Sequence, residues 1–185
     1  MRYLNKDKIN KYLIVDGYNI INAWENLREI SKTDLEHART ILIDNMIEYV
    51  EFTGKIGIIV FDAYNVRNSK EKVEQFRNVT VVYTKEHQTA DSYIEMYINN
   101  LSKYDDIKVA TNDYAEQQIV LGKGATRISA RELKLDFEEA KSKMNEKNKN
   151  IEKKIQRNYL EDRLNKELLS KLENIRRRRW NGYFF

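Results

Sequence analysis

The sequence predicts an α/β domain on a mostly parallel sheet, followed by a helical extension, and three observations predict it. Apolar runs of strand length alternate with stretches of helical period through the first 129 residues, the pattern of βαβ units. Four of those runs end on an acidic residue or lead to one, namely Asp16, Asp62, Asp91 and Asp113. After Ser129 the alternation stops and a long, charged helical pattern takes over.

Taken in order, Tyr12-Leu13-Ile14-Val15 is a strand that runs straight into Asp16. Thr33-x-x-Glu36 reads as a capping box. The helix it opens carries Leu35, Ala38, Ile41, Leu42, Met46 and Tyr49 on one period and stops at Gly54. Ile56 to Phe61 is the second strand, with Gly57 inside it and Asp62 at its end. A short helix is expected from Ser69 to Phe76. Val79 to Thr84 is the next strand, and Thr89 caps a helix with the apolar face Tyr93, Ile94, Tyr97, Ile98 and Leu101. Ile107 to Thr111 leads to Asn112-Asp113, then a helix to Leu121 with Gly122 as its stop. Thr126 to Ser129 is a short fifth strand.

Ser129-x-x-Glu132 is a second capping box, opening a helix to about Tyr159. Its stripe of Leu133, Phe137, Ala140, Met144, Ile151 and Ile155 is thin and breaks at Asn148, so it buries little along its length. A last helix is expected from Asn165, with Leu164 and Leu169 as a hydrophobic staple and Leu168, Leu172 and Ile175 on its apolar face. The expected division is a domain over 1–129 and a charged helical extension over 130–185, packed on it or projecting from it. No internal repeat is visible.

Charge sharpens that division. Residues 1–129 hold 17 Lys/Arg against 19 Asp/Glu, whereas 130–185 hold 16 against 10. Arg176-Arg177-Arg178-Arg179 supplies much of the excess, which points to a polyanion, nucleic acid ahead of membrane. A solvated basic tail is the plainer alternative. The chain has no cysteine, so disulfides and thiolate metal sites are excluded. It has no proline, so its turns rely on Gly, Asn and Asp. Met1 to Lys11 is polar, without a signal core, and no run reaches membrane-spanning length. The expectation is a cytoplasmic protein with no membrane partner and no small-molecule cofactor.

In an open parallel sheet the C-terminal strand ends share one edge, and ligands bind there. Carboxylates gathered at that edge repel one another unless a cation sits among them. Hard oxygen donors suit Mg2+ or Mn2+, and such a metal at a strand edge points to phosphoryl chemistry. Each motif also has a plainer reading. Asp16-Gly17-Tyr18-Asn19 is an ordinary turn sequence, were it not for an Asp ending the first strand with an Asn three residues on. Asp91 and Glu95 share a helix face at i, i+4; a favourable helix N-terminus explains the first but not the second. Asp113 with Glu116 is also simply a helix cap, and Asp62 also reads as a supporting loop acid. Tyr18, Tyr64 and Tyr114 follow acidic strand ends and either stack on bases or pack. His37 and His87 have no ligand spacing. There is no G-x-G-x-x-G or Walker loop, no nucleophilic triad, and no Asp-x-Asp pair after the first strand.

Four segments together resemble the NYN family of PIN-like nucleases, in its bacterial YacP-like group. They are Leu13 to Ile21, Val60 to Tyr64, Thr84 to Glu86 with Thr89 to Glu95, and Thr111 to Gln117. Ala38-Arg39 and Ser129-Ala130-Arg131-Glu132 add to the likeness, which covers about residues 10–135. A serine is common in the group where this chain has Asn112. The C-terminal aromatic end, Trp180 to Phe185, has no counterpart in it.

The resemblance implies a Rossmann-like PIN fold, metal-dependent RNA hydrolysis and cleavage of mRNA on the ribosome. On this reading Asp16, Asp91 and Asp113 hold one or two Mg2+ or Mn2+, helped by Glu95 and Asp62, and Asn19 positions water or phosphate. Arg39, Lys85, Arg127 and Arg176 to Arg179 are the expected RNA contacts. The rivals are a non-catalytic RNA- or ribosome-binding module and a structure-specific DNA nuclease.

Overall fold

The computed structural model describes residues 9–62, 70–112 and 124–180, with only some of the side chains beyond residue 155. The expected helix from Asp113 to Leu121, and Tyr64, fall outside those residues. The described elements run β1 (Lys11–Asp16), α1 (Gly17–Ala23), α2 (Glu25–Ser31), α3 (Leu35–Thr53), β2 (Ile56–Phe61), β3 (Lys72–Phe76), β4 (Val79–Tyr83), α4 (Ala90–Asn99), β5 (Asp106–Ala110), β6 (Thr126–Ile128) and α5 (Ala130–Trp180). The chain divides into a unit ending at Lys141 and a second from Ser142.

The six strands lie in the order β3-β4-β2-β1-β5-β6, and every pairing is parallel except β3 with β4. From β1 the chain winds outward through β2 to β4, then returns to the other side of β1 for β5 and β6. The reversal point therefore lies between β1 and β5. Alternation along the strands feeds two cores. Leu13, Val15, Ile59 and Phe61 pack beneath α1, α2, α3 and the first turns of α5. Ile14, Ile58, Val60 and Val109 pack beneath α4 with Ala90, Ile94 and Ile98. Burial on both faces is why the central strands read as unbroken apolar runs.

Three local expectations change. The segment expected to be a helix before Phe76 contains β3, an exposed edge strand antiparallel to β4. Its two apolar residues, Val73 and Phe76, stand three apart, a spacing a helix also uses; antiparallel pairing with β4, which sets Val73 against Val82 and Phe76 against Val79, makes it a strand. The cap of α3 is Asp34, whose carboxylate accepts from the His37 amide at 2.9 Å; the Thr33 hydroxyl donates instead to the Ile30 carbonyl. The two expected C-terminal helices are one, α5, running from Ala130 to Trp180. No Gly or Pro occurs within that span, so nothing in it interrupts the helical ladder.

Other expectations are met. Thr89 caps α4, and Gly54 ends α3 in a left-handed conformation. The capping box at Ser129 forms in both directions: the Ser129 amide donates to Glu132 at 2.7 Å and the Glu132 amide to Ser129 Oγ at 3.2 Å. Leu133, Phe137 and Ala140 of α5 are buried, whereas Ile151 and Ile155 are exposed. No described helix is long and apolar enough to cross a membrane.

Candidate active site

The C-terminal ends of the parallel strands border an open cleft of about 400 Å3. Asp16, Tyr18, Asn19, Asn22, Asp62, Thr89, Ala90 and Asp91 line it. Three different connections thus deliver three carboxylates to one hollow: Asp16 from β1, Asp62 from the end of β2, and Asp91 from the first turn of α4.

Asp16 is only 8% exposed. As the residue between β1 and α1 it also caps that helix: Oδ1 accepts the Asn19 amide at 3.1 Å, and Oδ2 faces Asn19 Nδ2 at 3.5 Å. Burial pushes its carboxyl above the usual aspartate range. The Asn19 amide opposes that rise, and the negative charge of Asp91 adds to it. The turn reading and the site reading of this Asp are therefore compatible: one oxygen terminates a helix while the carboxylate borders the cleft.

Gly17 has its own reason. A Cβ there would fall inside the van der Waals surface of the Phe61 ring. Phe61 is fully buried, meets Tyr18 edge-on at 5.3 Å and stacks on Tyr83 at 5.4 Å. The close approach lets the first turn of α1 lie against the end of β2, bringing Asp16 towards Asp62.

Thr84, buried after β4, donates its hydroxyl towards Asp62 Oδ1 at 3.5 Å. Asp91 lies in the first turn of α4, a favourable end for negative charge. Glu95 lies one turn further on and is not part of the described cleft lining. Asp113 falls outside the described residues.

The expected RNA contacts lie apart from one another in sequence and in their supporting elements. Arg39 of α3 hangs on the Tyr18 hydroxyl, which accepts from Nε at 3.0 Å and Nη2 at 2.5 Å, and it is paired with Glu36. Its guanidinium also lies 5.4, 6.0 and 5.9 Å from the ring centres of Tyr18, Phe61 and Tyr83. Lys85 is exposed in the loop after β4. Arg127 on β6 is half-buried, and its Nε has no hydrogen-bond partner among the described residues. Arg176 to Arg179 belong to the last turn of α5.

Asn22 was not singled out from the sequence. It stands three residues after Asn19 on α1, with apolar Ile20 and Ile21 between them, so a polar helical face was readable there. Asn112 gains a definite role: its Oδ1 accepts the amide of Ala130 at 3.0 Å, and its own amide donates to Asn19 Oδ1 at 3.2 Å.

As a metal site, the cleft offers hard oxygen donors and no cationic side chain among its described lining residues. That donor set suits Mg2+ or Mn2+ better than a softer ion. Among the described residues, however, no three acidic, His or Cys side chains are grouped closely enough to hold a metal ion by themselves.

A mostly parallel sheet with helices on both faces and an acidic cleft at its C-terminal strand ends fits a PIN-like domain of the NYN type. Residues 13–177 match the model of the YacP-like NYN domain, and the chain belongs to that family. It is 45% identical over 129 residues to the uncharacterized protein YacP of Bacillus subtilis (strain 168), covering 68% of this chain and 74% of that protein. The crystal structure of Rae1 (YacP) from Bacillus subtilis aligns with a TM-score of 0.68 at 35% identity, covering 94% of this chain and 99% of that chain. The W164L mutant of Rae1 aligns with a TM-score of 0.65 at 40% identity, covering 76% and 82% respectively. Family membership and these likenesses point to a nuclease-like, RNA-related function, in a class that generally uses divalent metals.

Proposed function

We propose that this protein is a cytoplasmic, metal-dependent endoribonuclease that hydrolyses phosphodiester bonds of mRNA, with the ribosome as its working partner. The observation that carries the proposal is the meeting of Asp16, Asp62 and Asp91 in one cleft at the C-terminal strand edge. The ribosome and mRNA enter through family resemblance, and the basic composition of 130–185 agrees with an RNA partner.

Asp16, Asp91 and Asp113 would hold Mg2+ or Mn2+, with Glu95 and Asp62 contributing directly or through water. When bound, such an ion activates water for attack on phosphorus and offsets charge on the leaving oxygen. Asn19 keeps the Asp16 carboxylate oriented through its amide and side chain. Tyr18, braced by Arg39, forms a wall against which a base can lie. Arg39, Lys85, Arg127 and Arg176 to Arg179 supply positive charge for the RNA backbone.

The deciding experiment compares Mn2+-dependent cleavage of naked RNA, single-stranded and branched DNA, and mRNA on translating ribosomes. Internal cuts in RNA, faster on ribosomes and lost with EDTA, are the expected result. RNA binding without cleavage and without Mn2+ binding by calorimetry would make the protein a binding module. Preference for branched DNA would make it a DNA nuclease.

A further inference from the structure

Helix α1 is clasped at both ends by the first residue of α5. At its start, Asn19 Nδ2 points to Asp16 Oδ2 at 3.5 Å while Asn19 Oδ1 accepts the backbone amide of Asn112 at 3.2 Å. The Asn112 side chain then reaches the amide of Ala130 at 3.0 Å. At the other end, the buried indole of Trp24 donates to the carbonyl of the same Ala130 at 2.9 Å. Four hydrogen bonds thus lead from the cleft carboxylate through two asparagines to Ala130 and on to Trp24. Sequence separations of 93, 18 and 106 residues mean that tertiary structure, not local turn chemistry, sets three of them.

We propose that Asn112 is a positioning residue for the Asp16 carboxylate, acting through Asn19, and that its side chain does so by fixing residue 112 against the start of α5. This rests on the reading of the cleft as the nuclease centre. An amide side chain has a fixed donor end and a fixed acceptor end. Asn19 uses its acceptor on residue 112, so its donor is committed to Asp16; released from residue 112, the amide is free to rotate. The backbone amide of residue 112 stays where Asn19 needs it because Asn112 Oδ1 is tied to Ala130. Asp16 is buried, so its charged form depends on such donors more than an exposed carboxylate does. Serine at position 112 offers the Ala130 amide a shorter acceptor, which makes Asn112→Ser the natural rescue variant.

The test uses the full chain with Asn112→Ala, Asn112→Ser, Asn19→Ala and the Asn19→Ala/Asn112→Ala double variant. RNA cleavage is measured well below the melting temperature of each. Asn112→Ala is expected to lower kcat about tenfold to a hundredfold, as small misplacement of a reacting group does, with KM for RNA within about twofold. Asn112→Ser should recover most of that loss, and the double variant should be no slower than Asn19→Ala alone. A second readout needs no activity: the side-chain amide NMR signals of Asn19 should be resolved in the wild type and shift towards free-amide positions in Asn112→Ala. Unchanged kcat in folded Asn112→Ala, or multiplicative losses in the double variant, would overturn the proposal. So would Asn19 amide signals that ignore the substitution. If the wild type cuts no RNA at all, the nuclease reading falls, and the Asn19 signals still decide this one.

Discussion

Gly17 and Phe61 share one volume: the aromatic ring fills the space that a side chain at position 17 would need. The glycine of the Asp-Gly pair is thereby a packing requirement at the cleft, where the helix-opening turn lies against the end of β2. Gly17→Ala should force Phe61 off its stack on Tyr83. The expected cost is about 1–3 kcal/mol, the usual range for overpacking a filled core, read as a lower urea midpoint with unchanged m-value. Phe61→Leu in the same chain should recover part of it; a wild-type midpoint in Gly17→Ala would refute the packing role.

Asp91→Asn should abolish RNA cleavage and leave the fold intact. The change keeps volume and removes one of the three carboxylates that line the cleft. Circular dichroism and melting temperature report the fold, and turnover at saturating Mn2+ reports the chemistry. Wild-type turnover by the folded variant would remove Asp91 from the centre.

Asp16→Asn should stabilise the metal-free protein at neutral pH. Burial and the charge of Asp91 raise the Asp16 carboxyl above its ordinary value of 3.8. The folded state therefore holds this proton more tightly than the unfolded chain does. Its contribution is fully present below about pH 4 and is lost as pH rises through the folded value. Asparagine removes that loss and remains a good helix cap. The gain in melting temperature should be largest near pH 7 and vanish towards pH 3. Mn2+ should raise the wild-type melting temperature, by mass action on the native state, more than that of the variant. Equal metal responses in the two proteins would argue against a metal at this edge.

Changing Arg176, Arg177, Arg178 and Arg179 together to Gln should weaken RNA binding at low salt. On single-stranded RNA, the dependence of log affinity on log salt should flatten by about 0.7 for each phosphate no longer neutralised. Mn2+ affinity should stay as in the wild type, because other residues supply the acidic cleft. Identical salt slopes would make the arginine run a solvated helix end and shift RNA capture to Arg39, Lys85 and Arg127.

Much of this architecture was legible because its strands are short, apolar and punctuated by acids. Asp16, Asp62 and Asp91 were readable as one group since a parallel sheet sends every strand end to the same edge. β3 is not legible as a strand because Val73 and Phe76 stand at a helical spacing on an exposed edge strand, where no buried run advertises it. The short α1 and α2 went unrecognised because seven residues carry too little periodicity. Asn112 could not be interpreted locally at all, since its partners lie 93 and 18 residues away. The role expected of Asp113 rests on pattern and family likeness, and that of the C-terminal arginines on charge alone.

The placement of β1 has a consequence for how the protein is made. One edge of β1 pairs with β2, but the other waits for β5, whose register sets Lys11 against Asp106 and Val15 against Ala110. A chain emerging from synthesis carries Asp16 early, yet lacks the second wall of its central strand until residue 110 is free. It lacks the tie from Asn112 until Ala130 follows. Long-range strand pairing of this kind is slow and comes late in folding. The acidic edge of the sheet is therefore complete only after nearly the whole first unit has been synthesised. An unfinished chain carries its acids without the long-range pairings and ties that surround them in the finished fold.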